Sequence, residues 1–237
     1  MELSPNLVPL GIAWFVVFVF STTLHEAGHA LAALRLGDPT AYMGGQVSLN
    51  PVPHIVREPF GMVIVPILSF VLMGGNWMFG WASAPYDPLW AMRHPRKSAL
   101  MSLAGPVANL VLLLLAGLFI RVGLALDLLE PPQVLEFSRV AVAADGSATG
   151  GLAIVLSILF SLNLVLLLFN LIPLPPLDGS GVLQLFLSEG ASRRYMAFMS
   201  QPMWGLVGLI LAWRVFPTVF WPLFSLAVDL LYPGIYG

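Results

Sequence analysis

Five stretches of this 237-residue chain run for 19 residues or more without a single Asp, Glu, Lys, Arg or His. They are Leu3–Leu24, Pro59–Tyr86, Ser98–Ile120, Gly146–Leu177 and Tyr195–Trp213, and a shorter one covers Val215–Val228. About 20 apolar residues in helical form span the hydrocarbon core of a bilayer. Backbone in that core must satisfy its own hydrogen bonds, so helices are what such stretches form. The expectation is an all-α polytopic membrane protein of about six membrane segments, forming a single membrane-embedded domain over residues 1–237. Composition agrees. Only 9% of residues are charged and 58% are hydrophobic, whereas a soluble domain carries roughly 25% charged residues. An ordinary soluble enzyme and a nucleic-acid binder with a basic face are thereby excluded. The absence of Cys removes disulfides, thiolate metal sites and a cysteine nucleophile.

The segments differ in quality. The first does not read as a signal peptide, because its helical pattern continues through His25–His29 to Leu36. Pro59–Tyr86 contains Pro66 and then Gly74-Gly75-Asn76, which predicts a broken, re-entrant hairpin turning near Gly74-Gly75. Gly146–Leu177 ends in Asn170-Leu-Ile-Pro-Leu-Pro-Pro-Leu-Asp178-Gly179, whose prolines prevent a regular helix. Phe216-Pro217 is expected to break the last two segments into a hairpin. Between them, Tyr42–Pro51 has the glycines, β-branched residue and proline stop of a short extended ribbon after the first helix. Arg93, Arg96 and Lys97 in one loop, and Arg193 and Arg194 in another, place residues 87–97 and 189–194 in the cytoplasm by the positive-inside rule, with 121–145 outside.

Chemistry concentrates in His25-Glu26-Ala27-Gly28-His29. Residues at i and i+4 share a helix face, so both imidazoles can reach one zinc, while Glu26, displaced around the axis, can act on a water without being a ligand. Ionisable groups inside a membrane helix are costly and functional by default. A catalytic zinc takes three protein ligands. Asp178 is the third candidate, being the only acid between Asp145 and Glu189; its competing role is an N-cap for the short helix that follows. His54 either approaches the metal, gates it or meets substrate, or is a solvated loop histidine, the commoner case. Asn109, an amide in an apolar helix, reads as interhelical packing.

These residues resemble the site-2 protease family of intramembrane zinc metalloproteases, in its compact bacterial form. Three motifs carry the resemblance: His25-Glu-Ala-Gly-His29, Ala104-Gly-Pro-Val-Ala-Asn109, and Asn170 through Asp178-Gly179. Leu49–His54 and Gly80–Pro85 add to it, and the similarity covers roughly residues 10–188. The resemblance implies that His25, His29 and Asp178 bind Zn2+, that Glu26 is the catalytic base, and that Asn170 helps bind substrate or stabilise the oxyanion. It implies transmembrane protein or peptide substrates, a lipid bilayer setting in a bacterial cytoplasmic membrane, and an active site toward the cytoplasm. The ribbon at 42–51 would hold an unwound substrate by edge pairing. One departure stands out: relatives often follow the Asp-Gly pair with Gly and Arg, where this chain has Ser180-Gly181. A transporter, another metal-binding membrane protein or an inactive protease-like scaffold are the alternatives. A transporter usually shows paired repeats, and none is visible.

Overall fold

The computed structural model describes residues 7–144 and 148–236; Leu3–Asn6, Gly146 and Ser147 of the expected segments, and Asp145 of the loop expected outside, are not among them. Among the described residues four helices are long and apolar enough to cross a membrane: α1 (Leu7–Leu36), α6 (Pro95–Ala125), α7 (Gly150–Asn170) and α10 (Pro202–Leu231). Shorter pieces lie between them: α2 (Thr40–Met43), α3 (Val52–Arg57), a π-turn (Phe60–Ile64) running into α4 (Val65–Leu72), and α5 (Pro88–Arg93). After α7 come α8 (Asp178–Val182), a 3-10 turn (Leu183–Phe186) and α9 (Glu189–Met199).

Among the described residues four helices of that length are therefore found, where about six membrane segments were expected. Two physical reasons account for the difference. At the C-terminal side, α10 continues through Pro217 and Pro222, because each proline deletes one donor and a membrane helix can absorb that loss. The stretch Tyr195–Trp213 divides elsewhere, at Ser200–Gln201, between α9 and α10. Residues 59–86 form the second case. One leg is helical to Leu72; the chain turns at Gly74 and Gly75, both at positive φ, where glycine is the residue without penalty. The other leg, residues 77–87, is neither helix nor paired strand and stretches from Gly80 beside Phe18 to the Asp87 N–H bonded to Asp38. The Phe79 N–H donates to Ser69 Oγ (3.1 Å) and the Trp81 N–H to the Gly61 carbonyl (3.1 Å), tying the legs together. A Cβ on Gly80 would collide with the Gly61 carbonyl oxygen and one on Gly61 with that of Trp81, so only glycines permit this approach.

The expected ribbon at Tyr42–Pro51 is not a strand. Its backbone donors are used locally: Gly44 and Gln46 N–H donate to the Thr40 and Ala41 carbonyls, and Ser48 and Asn50 side chains accept from the backbone two residues on. A strand ladder cannot form from bonds already spent in turns. The one strand pair among the described residues is β1 (Leu129–Glu130) with β2 (Val142–Ala143), antiparallel, in the loop between α6 and α7.

The long helices alternate in direction. Opposed pairs His29–Met101 and His25–Asn109 run α6 antiparallel to α1, and Asn109–Asn163 with Gly117–Phe160 reverses α7 against α6. In α10, Gly208 lies against Pro175 and Leu231 against Arg121. Trp14, Val17 and Phe18 of α1 pack on Ile158 and Leu162 of α7, with Phe70 and Met78 from the hairpin. A second core joins Leu113, Ala116 and Ile120 of α6 to Phe160 of α7 and Phe220, Phe224 and Val228 of α10. Most of the outward face of α10 is exposed and apolar, as a lipid-facing helix must be. At the far end of α1, Asp38 binds the backbone of Thr40 (3.0 Å) and Asp87 (2.8 Å). Burial works against its charge, but these hydrogen bonds and that from the Thr40 hydroxyl outweigh it and hold the carboxyl below the ordinary carboxylate range.

Candidate metal centre

On α1 the four-residue spacing brings His25 and His29 to one face, and their Nε2 atoms lie 3.0 Å apart. Asp178, the first residue of α8, faces both: Oδ2 is 3.1 Å from His25 Nε2 and Oδ1 is 3.2 Å from His29 Nε2. Both histidines are buried and Asp178 nearly so. The Asp178 side chain makes no capping bond to its helix, and Leu177 occupies the N-cap position. The capping alternative therefore has no support in the geometry.

How the chain delivers Asp178 to α1 is a matter of backbone contact. After Asn170 the prolines end α7, and residues 171–177 fold back so tightly that a Cβ on Gly179 would strike the Leu171 and Ile172 carbonyls. On the other side, α6 closes on α1: a Cβ on Gly28 would stand 2.9 Å from the Ala104 carbonyl oxygen, and one on Gly105 would run into both imidazole Nε2 atoms. Gly105 is thus the residue at which α6 comes closest to the two imidazoles.

The donor set fits a metal on its own chemistry. His29 Nδ1 lies 2.7 Å from the Met101 carbonyl, an acceptor only, so Nδ1 carries a proton and the ring, in the neutral form a metal ligand takes, turns its Nε2 lone pair inward. That lone pair meets a second imidazole nitrogen and two carboxylate oxygens, electron-rich atoms that need a cation among them. Tetrahedral zinc with Zn–N bonds of about 2.0–2.1 Å keeps its ligand atoms roughly 3.3 Å apart, close to the separations seen.

Glu26 is buried beside the pair, on α1, and its carboxylate has no hydrogen-bond partner among the described residues. Asn170 ends α7, half-buried, with its amide likewise uncommitted. His54 is neither clustered with the metal donors nor solvated: it is buried in α3, its Nε2 3.1 Å from the Ser48 carbonyl. Asn109, read from sequence as packing, instead touches a histidine of the cluster, with Oδ1 2.5 Å from His25 Nδ1. A largely apolar cleft of about 750 Å³ lies elsewhere, between the start of α1, residues 136–143 and the start of α7, and holds none of these groups.

Membrane-length helices around a buried His–His–carboxylate cluster, with a free glutamate beside it, describe a membrane-embedded metallopeptidase. The family model for peptidase family M50 matches residues 13–214. The chain belongs to that family and is a membrane zinc metalloprotease, which sets the transporter reading aside. It is 34% identical over 185 residues to YwhC of Bacillus subtilis (strain 168), covering 78% of this chain and 70% of that protein. It is 32% identical over 181 residues to Rip2 of Mycobacterium tuberculosis (strain H37Rv), covering 74% and 60%, and 29% identical over 193 residues to Rip2 of Mycolicibacterium smegmatis, covering 80% and 62%. All three are named as zinc metalloproteases. No solved structure matches the chain.

Proposed function

We propose that His25, His29 and Asp178 hold the zinc, that Glu26 is the base, and that the substrate is a membrane-spanning segment of another protein, cut toward the cytoplasmic side. The observation that carries this is the convergence of the three donors beside an unpartnered glutamate, inside a helix long enough to span the bilayer. His29 stands seven residues before the end of α1, roughly 10 Å of helix, so the cluster lies within the span. Bound there, zinc supplies Lewis acidity toward the scissile carbonyl and acidifies the attacking water. Glu26 takes the proton as the water oxygen bonds to the carbonyl carbon, then returns it to the departing amine as the C–N bond breaks. Asn170 offers its amide to the substrate backbone.

A helical substrate hides its carbonyls in its own hydrogen bonds and must unwind to react. The extended leg 77–87 is suited to hold the unwound strand. It starts near Phe18 and ends at Asp38, so it runs beside α1 past His25–His29. Backbone groups of Phe79, Trp81 and Ser83 are bonded on one edge, while Gly80, Ala82 and Ala84 have no backbone partners among the described residues on the other. An open edge of this kind pairs with an extended peptide through main-chain bonds.

Seven of the ten Lys and Arg residues, Arg35, Arg57, Arg93, Arg96, Lys97, Arg193 and Arg194, belong to the end of the bundle that bears α8. That bias supports a cytoplasmic placement of this end. The test uses reconstituted protein and a model single-span substrate. Glu26→Gln should keep stoichiometric zinc and lose at least about 100-fold in cleavage; Asp178→Ala should lose both zinc and cleavage. Wild-type cleavage by the first, or full zinc in the second, overturns the assignment.

A further inference from the structure

Three buried polar side chains outside the metal cluster form a closed circuit through three helices. Asn109 Oδ1 meets His25 Nδ1, Asn109 Nδ2 donates to Asn163 Oδ1 (2.8 Å), and Asn163 Nδ2 donates to Ser21 Oγ (2.9 Å). Ser21 lies one helical turn before His25, so the circuit begins and ends on the same face of α1. Ser21, Asn109 and Asn163 are each completely buried. Polar groups in such surroundings are expensive unless paired, and here the amides are.

The direction of every bond follows from one atom. Asn163 Nδ2 also lies 2.8 Å from the Leu159 carbonyl, one turn earlier on α7. A carbonyl can only accept, so that end of the Asn163 amide is the NH2 group and its other end is the oxygen. The oxygen requires a donor from Asn109, which turns the Asn109 oxygen toward His25. That oxygen requires a proton on Nδ1. In its neutral form His25 is then left with a bare Nε2, aimed at His29 Nε2 and Asp178.

We propose that Asn109 and Asn163 are positioning residues for the zinc centre, transmitting the orientation of the α7 backbone to the tautomer and ring angle of His25. The inference rests on His25 being a ligand. Its partner His29 gets the same service from a backbone carbonyl, whereas His25 depends on side chains and can be changed by mutation. Groups that orient a metal-bound histidine typically contribute 10- to 100-fold in metal affinity.

The test is zinc affinity of the full-length protein in detergent, measured by competition with a chelator, beside thermal unfolding and the imidazole nitrogen spectrum of the metal-stripped chain. Asn109→Ala should weaken zinc about 10- to 100-fold, and Asn109→Asp, which keeps the acceptor, should restore most of it. Ser21→Ala, the mildest change, should weaken zinc less than Asn109→Ala. In the unmutated protein His25 should be protonated at Nδ1. Wild-type zinc affinity in folded Asn109→Ala overturns the proposal, as does an unmutated His25 protonated at Nε2, a result that needs no variant to fold. His25→Ala separates the two readings: if it keeps zinc, the ligand set is wrong; if it loses zinc while Asn109→Ala does not, only the positioning role fails.

Discussion

Gly105 shows how narrowly the metal cluster is built. Its missing side chain is the space in which the two imidazoles meet, and the helix bearing it is tied to α1 on either side by the His29–Met101 and His25–Asn109 hydrogen bonds. One methyl group at this position is therefore expected to displace the ligand atoms and not the helices. Gly105→Ala should lower zinc affinity by about 10-fold or more while the protein still folds. Gly190→Ala is the matched control: that glycine sits in α9 with nothing within 4 Å of an added Cβ, so alanine there should leave zinc untouched and favour the helix by up to about 1 kcal/mol. Zinc content after equilibration with a chelator reads both. Equal zinc in the two variants would mean that the clash is relieved by backbone movement.

Among the elements, the hairpin of residues 60–87 contributes most that a simple helix count misses. Its extended leg is secured at few points, and Ser69 is the central one. Its buried hydroxyl accepts the Phe79 N–H and lies 2.9 Å from the Pro66 carbonyl and 3.2 Å from that of Phe79. Ser69→Ala leaves that N–H without a partner, which costs about 1–3 kcal/mol. The expected outcome is a lower unfolding temperature and faster proteolysis within 77–87, with zinc content unchanged because no metal donor lies on this element. An unchanged unfolding temperature would show that packing of Met78 against Phe18 and Phe70, and not the hydroxyl, secures the leg.

For the whole molecule, alternating helix directions put residues 37–58, 88–94 and 171–201 at one end and the loop of residues 126–144 at the other, while the 60–87 hairpin reaches back along α1 until Gly75 meets Leu7. The chain contains no Cys, so single cysteines report the sidedness directly. Gly190→Cys and Gln133→Cys occupy exposed positions at the two ends. With the basic end inward, an impermeant thiol reagent should label position 133 on intact cells and position 190 only after permeabilisation. The reverse pattern would place the zinc end outside and require substrates cut from that side.

The histidine pair and its glutamate were readable in the chain because helical spacing is local: four residues bring two side chains to one face whatever surrounds them. Apolar length likewise revealed a membrane protein, since the bilayer thickness acts on each segment alone. Hydropathy could not separate a spanning helix from a re-entrant leg, nor foresee that α10 would carry Pro217 without breaking, because both depend on which neighbours receive the displaced backbone groups. The extended ribbon expected at 42–51 does not form, because its donors close local turns, while residues 77–87 are held by Ser69 and Gly61, partners that local sequence does not contain. Asp178 could be nominated by elimination, but only folding brings it 149 positions back to His29. Asn109 and Asn163 left a weaker trace, the one amide of α6 and the first of two in α7. Which helix each amide would face, and so which histidine tautomer it sets, is decided by the crossing of α1, α6 and α7 alone.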